Sequence, residues 1–296
     1  NRGLPTEPGL AAGIVAVPFR ASWGPLGKAV LLESPDAVTR LFGSGGTTHA
    51  LHDAFVGGAR QVLGIRMGRD GQAASVQLEG PSGPVVTLTA KGVGTDGNRL
   101  SATVRDSLTS SGQRELVIYE GTTRRAAFTY DPGDDEAAAM VAAVNAGNDW
   151  ITATATGSGP VQNVNQKPFT GGTDPVITGE DYAEALAAIE PLDWNVLAVD
   201  VNDTATHATV AAYIDRVRAE GKRVLTVVGE PTSVALETRL ANAAAFNDPA
   251  VVYVANGLRG LEGVIREGYR AAALVAGIIA SEPVTASFTH YVVPRM

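Results

Sequence analysis

The chain has 296 residues, 45% of them hydrophobic and 18% charged, with a net charge of -8 and a pI near 5.1. That length accommodates two domains and a substantial core, while the acidic balance, with no basic stripe to offset it, argues against a nucleic-acid partner gathered by bulk positive charge. The absence of cysteine excludes disulfide frameworks, thiolate zinc sites and cysteine nucleophiles together and leaves the compartment open.

The first third mixes short strands and helices. Gly13 to Phe19 and Lys28 to Glu33 are apolar runs of strand length joined by "RASWGPLG", where Gly24 and Pro25 mark a turn. Ser34-Pro35 sets an N-cap with proline at the first helical position, opening a helix over "DAVTRLF". A second helix is expected over Thr47 to Ala59, then a strand over Gln61 to Met67. From about Ala73 to Tyr130 the pattern changes to alternation in "ASVQLEG", "VVTLTAK", "LSATVRD", "ELVIYEG" and "RAAFTY", separated by glycine turns, which reads as an antiparallel β domain. A helix over Asp134 to Gly147 and a strand in "DWITATAT" follow. Gly157 to Asp174, rich in Gly, Asn and Pro, reads as a linker or long loop.

From Thr178 onward helices and apolar strands alternate. Thr178 N-caps "TGEDYAEALAAI", with Asp181 in the capping-box position. Then come "NVLAVDV" (strand), "TATHATVAAYIDRVRAE" (helix), "KRVLTVVG" (strand), "SVALETRLANAAAF" (helix), "AVVYVAN" (strand) and a helix over Gly260 to Ser281. Near-continuous apolar strands between amphipathic helices imply a mostly parallel sheet covered on both faces. The run Ala271 to Ala280 is about half a bilayer-spanning length and reads as a buried helix. No charged-then-apolar leader follows Asn1. The expected organisation is a segment 1–70 packing with the main body, an antiparallel β domain with one helix over 71–156, a linker over 157–177 and an α/β domain over 178–296.

Gly92, Gly94 and Gly97 reproduce the spacing G-x-G-x-x-G, whose physical meaning requires a strand feeding a helix N-terminus that can hold a pyrophosphate. Here strand-like sequence lies on both sides, so a strand connection with at least one positive φ is expected, with no cofactor. Asp200 at a strand end and His207 nearby invite a hydrolase reading, but no G-x-S-x-G frames Ser233, Ser281 or Ser287; the plainer expectation ends a strand at Asp200 and puts His207 on a helix surface. His49, His52 and Asp53 fall on one helical turn, where two imidazoles could share a metal, yet no third ligand is apparent. Asp131, Asp134, Asp135 and Glu136 lack the calcium-loop spacing and fit the positive end of a helix dipole. Asp106, Arg114, Glu115, Arg124 and Arg125 read as solvated strand faces. Catalytic, cofactor and metal residues are therefore expected to be none.

Three segments carry a resemblance. "GIVAVPFRASWGPLGKAVLLES" looks like the opening of contractile phage tail sheath proteins, with its W-G-P between apolar strands. "LTAKGVGTDGNRLSATV" resembles their "PGTxGN" hairpin through Gly94, Thr95, Gly97 and Asn98. "FTGGTDPVITGEDYAEALAAIEPLDWNVLAV" resembles their G-G-T-D segment through Gly171, Gly172, Thr173, Asp174, Tyr182, Leu186, Ile189, Glu190, Asn195 and Leu197, with Pro175 where glycine is usual and Trp194 as the aromatic.

The resemblance implies a subtilisin-like α/β fold without a protease site and an inserted antiparallel β-sandwich or barrel-like domain. It also implies a structural, non-enzymatic subunit of the virion, assembled in the host cytoplasm as stacked homo-oligomeric rings around an inner tail tube, between baseplate and tail terminator proteins. Contraction, a switch between two packings, would drive the tube through the host envelope. No nucleic acid and no membrane insertion are implied. The family's C-terminal sheath domain is expected to be missing beyond Met296 and its N-terminal arm short or absent, so this piece alone is expected to be monomeric or weakly associating. A non-contractile or adhesin-like assembly module and a degenerate hydrolase are the alternatives. A longer gene without the C-terminal sheath domain would favour the module, and serine labelling by a fluorophosphonate the hydrolase.

Overall fold

The computed structural model describes residues 13–43, 48–260, 262–283, 286–289 and 291–293. Strand β1 (Ile14–Phe19) is almost wholly buried, as its unbroken apolar run requires. β2 (Ala29–Leu32) follows, and then Ser34, whose Oγ accepts the Ala37 N–H at 3.2 Å and starts helix α1 (Pro35–Phe42) on its proline. Helix α2 (His49–Val56) is shorter than the expected 47–59, because Gly57 and Gly58 follow, Gly58 at φ +105°; Thr47 lies outside the described residues. β3 (Gln61–Arg66) runs parallel to β1 and antiparallel to β2.

The alternating stretch folds as two antiparallel sheets. β4 (Ala73–Gly80), β5 (Gly83–Val93), β6 (Leu100–Asp106), β7 (Arg114–Glu120) and β8 (Thr123–Tyr130) come first, with a 3-10 turn at Thr95–Arg99 between β5 and β6. Helix α3 (Glu136–Asn145), β9 (Ile151–Ala155) and β10 (Val164–Pro168) follow. The orders are β4-β5-β9 and β10-β6-β7-β8, and both sheets feed one core, with Leu78 and Leu88 from one, Leu100, Leu116 and Ile118 from the other, and Met140 from α3. The stretch 157–177, expected as a linker, is not one: β10 pairs with β6, and single bridges join Arg69 to Val176, Gln72 to Thr173 and Ser75 to Thr170. It escaped the pattern because its register shifts between Val164 and Lys167 and Gln166 sits at φ +48°, so no period-two signal forms. This compact unit comprises Ala21–Pro25 and Arg69–Val176.

The other unit adds to the opening strands the chain from Ile177 on. Its elements are α4 (Gly179–Ile189), β11 (Val196–Ala198), α5 (Thr204–Ala219), β12 (Leu225–Gly229), α6 (Leu236–Phe246), β13 (Val251–Val254), β14 (Leu258–Arg259), β15 (Ile265–Arg266) and α7 (Gly268–Ser281). At the head of α4 the Asp181 carboxylate accepts from the Thr178 N–H at 2.6 Å and its hydroxyl at 2.8 Å, the expected cap. The six-stranded sheet has the order β13-β12-β11-β1-β3-β2, every neighbouring pair parallel except β2 and β3. Leu63, Ile65, Tyr182, Leu186, Leu197, Val210 and Ile214 form a core on one face, while α7 is buried along most of its length. The helix expected from Gly260 instead begins at Gly268. The preceding residues form the β14–β15 hairpin, with Gly260 donating to Val264 O at 2.9 Å and Gly263 at φ +82°. Glycines at 257, 260 and 263 lower helix propensity too far for apolar spacing to override.

Candidate functional site

The glycine motif is architectural. Gly94 has φ +128° and joins β5 to the 3-10 turn, so the glycines do serve a strand connection, although Gly92 lies within β5 and Gly97 within the turn. A Cβ on Gly92 would stand 2.5 Å from the Trp23 indole, and one on Gly94 2.2 Å from Ser22 O. The amide a phosphate would need is taken: Asp174 accepts the Thr95 N–H at 2.8 Å and its hydroxyl at 2.9 Å, and also the Ser22 hydroxyl at 3.1 Å. Asn98 exchanges two hydrogen bonds with the Gly172 backbone, each 2.9 Å. The W-G-P loop, the glycine turn and the G-G-T-D segment thus converge on one another, a convergence that spacing alone does not reveal.

At the carboxyl ends of β1 and β11, Asp200 is 1% exposed and fully engaged. It accepts from Arg20 N and Nε, both at 2.8 Å, and from the Tyr182 hydroxyl at 2.8 Å. Burial, with the Asp200 carboxylate, pushes the Tyr182 phenol up. His207 is not on a helix surface but 1% exposed near the start of α5, where burial lowers its pKa and Nε2 lies 3.2 Å from Val201 O. Of the serines, Ser281 donates to Ile278 O at 2.9 Å, Ser287 Oγ accepts weakly from the Thr289 N–H at 3.4 Å and Ser233 is exposed; none is hydrogen-bonded to His207.

The pair His49 and His52 loses its nearest potential co-ligand to an ion pair, since the buried Asp53 accepts Arg270 Nε at 2.6 Å and Nη2 at 2.9 Å. Burial lowers both imidazole pKa values. At the acidic entry to α3, Asp135 caps the Ala138 N–H at 3.3 Å, while Glu136 is buried and accepts from the Tyr130 hydroxyl at 3.1 Å and the Val161 N–H at 3.0 Å. Glu115, expected on a solvated face, is 6% exposed and holds Arg105 at 2.6 Å. Arg114 is likewise drawn in, its Nε 3.4 Å from Glu136, whereas Arg125 bonds Glu120 and lies 4.9 Å over Trp150. An open depression of about 430 Å³ lies between α4 and α5, lined by Ala187, Glu190, Pro191, Val217, Glu220 and Lys222. Its charges are spent: Arg216 bridges Glu190 and Glu220, and Lys222 donates to Glu190 O and Leu192 O. Among the described residues no cluster of metal-ligating side chains forms, and no helix is long and apolar enough to cross a membrane.

The arrangement defines a two-unit protein, a parallel-sheet α/β body and a β-sandwich, whose motif residues fasten backbone to backbone. Residues 69–174 match the phage tail sheath protein beta-sandwich domain and residues 176–293 the phage tail sheath protein central domain. The chain belongs to the phage tail sheath protein family, which is structural. The solved sheath tail protein of Desulfitobacterium hafniense superposes with a TM-score of 0.76 at 25% identity, covering 97% of this chain and 63% of that one. The sheath tail protein of Listeria innocua has the same fold, with a TM-score of 0.73 at 22% identity over 95% of this chain and 59% of its own. The uncharacterised protein YqbK of Bacillus subtilis is 26% identical over 224 residues, 72% of this chain and 47% of that protein. The chain thus spans between about half and under two thirds of the length of these relatives.

Proposed function

We propose that the chain is part of a non-enzymatic structural subunit of a contractile tail sheath, which polymerises around an inner tail tube and contracts to drive that tube through the host envelope. The observation that carries the reading is the tandem of beta-sandwich and central sheath domains in that order along 69–293. The spent polar groups support it too: Asp174, Asp200, Asp53 and Glu136 each close an internal hydrogen-bond network, so the work is left to surfaces. The partners are further copies of the subunit, the tube protein, and the baseplate and terminator proteins at the ends. The subunit assembles in the host cytoplasm and resides in the virion, without nucleic acid and without membrane insertion. The switch is one between two packings of the same bodies, so each subunit must keep its own fold while its contacts change.

The test is co-expression of the full gene carrying this chain with a small tube-protein gene sought in its genomic neighbourhood. Negative-stain microscopy should find striated tubes that convert to a shorter, wider form under mild denaturant. Soluble subunits that never assemble on the tube would overturn the reading.

A further inference from the structure

Between β13 and β14 lies the only asparagine-glycine pair in the sequence, Asn256-Gly257. Ahead of glycine, the side-chain amide carbon of asparagine is easily reached by the next backbone nitrogen, because a residue without Cβ neither blocks the approach nor restrains the backbone that must swing to make it. The fold requires glycine there: a Cβ on Gly257 would lie 2.3 Å from Arg266 O and 2.5 Å from Thr232 Cγ2. The reacting groups are open. Asn256 is exposed, and among the described residues neither its Nδ2 nor the Gly257 N–H is engaged in a hydrogen bond. Its Oδ1 faces a cation instead, accepting from Arg239 Nη1 at 3.2 Å, and that guanidinium is fixed by further bonds to Thr232 O at 2.7 Å and Val234 O at 2.8 Å.

We propose that Asn256 is a site of spontaneous deamidation, for which the fold supplies the glycine, the open nitrogen and a cation on the carbonyl oxygen. The Gly257 nitrogen bonds to Asn256 Cγ and gives up its proton, while the C=O electron pair moves onto Oδ1, where Arg239 stabilises the negative charge. Return of that pair breaks the Cγ–Nδ2 bond. Nδ2 leaves with a proton as ammonia, and a cyclic succinimide remains. Water then opens the ring, at Cγ to give aspartate or at the backbone carbonyl to give isoaspartate, with no oxidant or reductant consumed. The aspartate product sets a carboxylate where the amide stood, against Arg239. The chain thus acquires one negative charge with age, at the loop to which Arg239 ties α6.

The test is to hold the whole chain at mildly alkaline pH and physiological temperature in heavy-oxygen water, then map it by trypsin and mass spectrometry. The peptide Leu240 to Arg259 contains both Asn256 and Asn247, so one molecule reports both rates. Asn256 should convert to aspartate and isoaspartate several-fold faster than Asn247, which is also exposed but precedes Asp248. Heavy oxygen should enter the new carboxyl group, and the rate in the folded chain should be comparable to that in urea. Arg239→Gln should slow the folded reaction and leave the rate in urea unchanged. Asn256→Asp, which installs the product, should melt no lower than wild type at neutral pH. Conversion no faster than at Asn247, or a folded rate many-fold below that in urea, overturns the proposal, since the fold would then shield the site. Equal folded rates in Arg239→Gln and wild type overturn the part given to Arg239, and a lower melting temperature in Asn256→Asp overturns the new ion pair.

Discussion

Position 94 carries two constraints at once, a φ of +128° and a Cβ that would stand 2.2 Å from Ser22 O. Gly94→Ala therefore meets both strain and a clash with backbone that has nowhere to go, and should cost about 2 kcal/mol or more; urea unfolding with an unchanged slope is the check, and a loss under half that would sink the account. A second residue-scale prediction concerns charge. The neighbouring Asp248 carboxylate pushes the Asp215 carboxyl above the ordinary 3.8, against the opposing pull of Arg218. A carboxyl raised in the folded state contributes stability that is whole below its unfolded value and lost as pH rises through the folded one. Asp215→Asn should therefore be more stable than wild type at neutral pH, with the gain fading once the pH falls below that ordinary value; an equal gain at both ends would count against the pair. Much at this scale was legible: Gly94, Asn98 and Asp174 stood out as motif residues before any geometry. What they bind was not, since Asp174 reaches Thr95 across 79 positions. His207 and Glu115 were placed on surfaces because residue type alone marks them as polar, while their burial comes from neighbours distant in sequence.

Among the elements, α2 and α7 cross most closely. A Cβ on Gly277 would lie 2.1 Å from Ala54 O, and one on Gly57 2.1 Å from Leu274 O, so the two backbones touch and the pair of buried Asp53 with half-buried Arg270 spans the same two helices. Gly277→Val should separate the helices and cost about 3 kcal/mol. Asp53→Ala, which strands Arg270, should cost about 3 to 5 kcal/mol. Thermal denaturation of each variant provides the measurement, and a shift smaller than that of an exposed control such as Thr209→Ala would refute the crossing as a stabilising contact. The sequence made α7 readable as a buried helix from its run Ala271 to Ala280, but not where it starts, because apolar residues at 258, 261, 264 and 265 kept a helical rhythm through glycines that fold as a hairpin. α6 was readable as a helix for the complementary reason. Its period is right, and only the structure reveals that none of its residues is fully buried and that Leu236 and Leu240 stand exposed.

At the scale of the molecule, the α/β and β halves announced themselves through a change of period near residue 70, and the family resemblance named their combination. The discontinuity was hidden. Ala21–Pro25 belongs with Arg69–Val176, and Trp23 from that short loop, 7% exposed, sits in the β core and stacks on Trp150 at 5.6 Å between ring centroids. No local pattern can signal this, because the contact joins residues more than a hundred positions apart. Each unit has its own hydrophobic core, which is the condition for separate cooperative melting. Calorimetry on the chain should therefore resolve two transitions. Trp23→Ala removes a buried indole worth about 3 kcal/mol or more and, at roughly 4 °C per kcal/mol for a unit of this size, should lower the transition of the β unit by about 10 °C while leaving the other in place. The same logic separates the loop's two roles. Ser22→Ala, which deletes one hydrogen bond to Asp174 but keeps the indole, should move that transition by only a small part of this shift. A single transition that moves as a whole in Trp23→Ala would mean that the two cores unfold as one, and that a subunit changing its packing must strain both together.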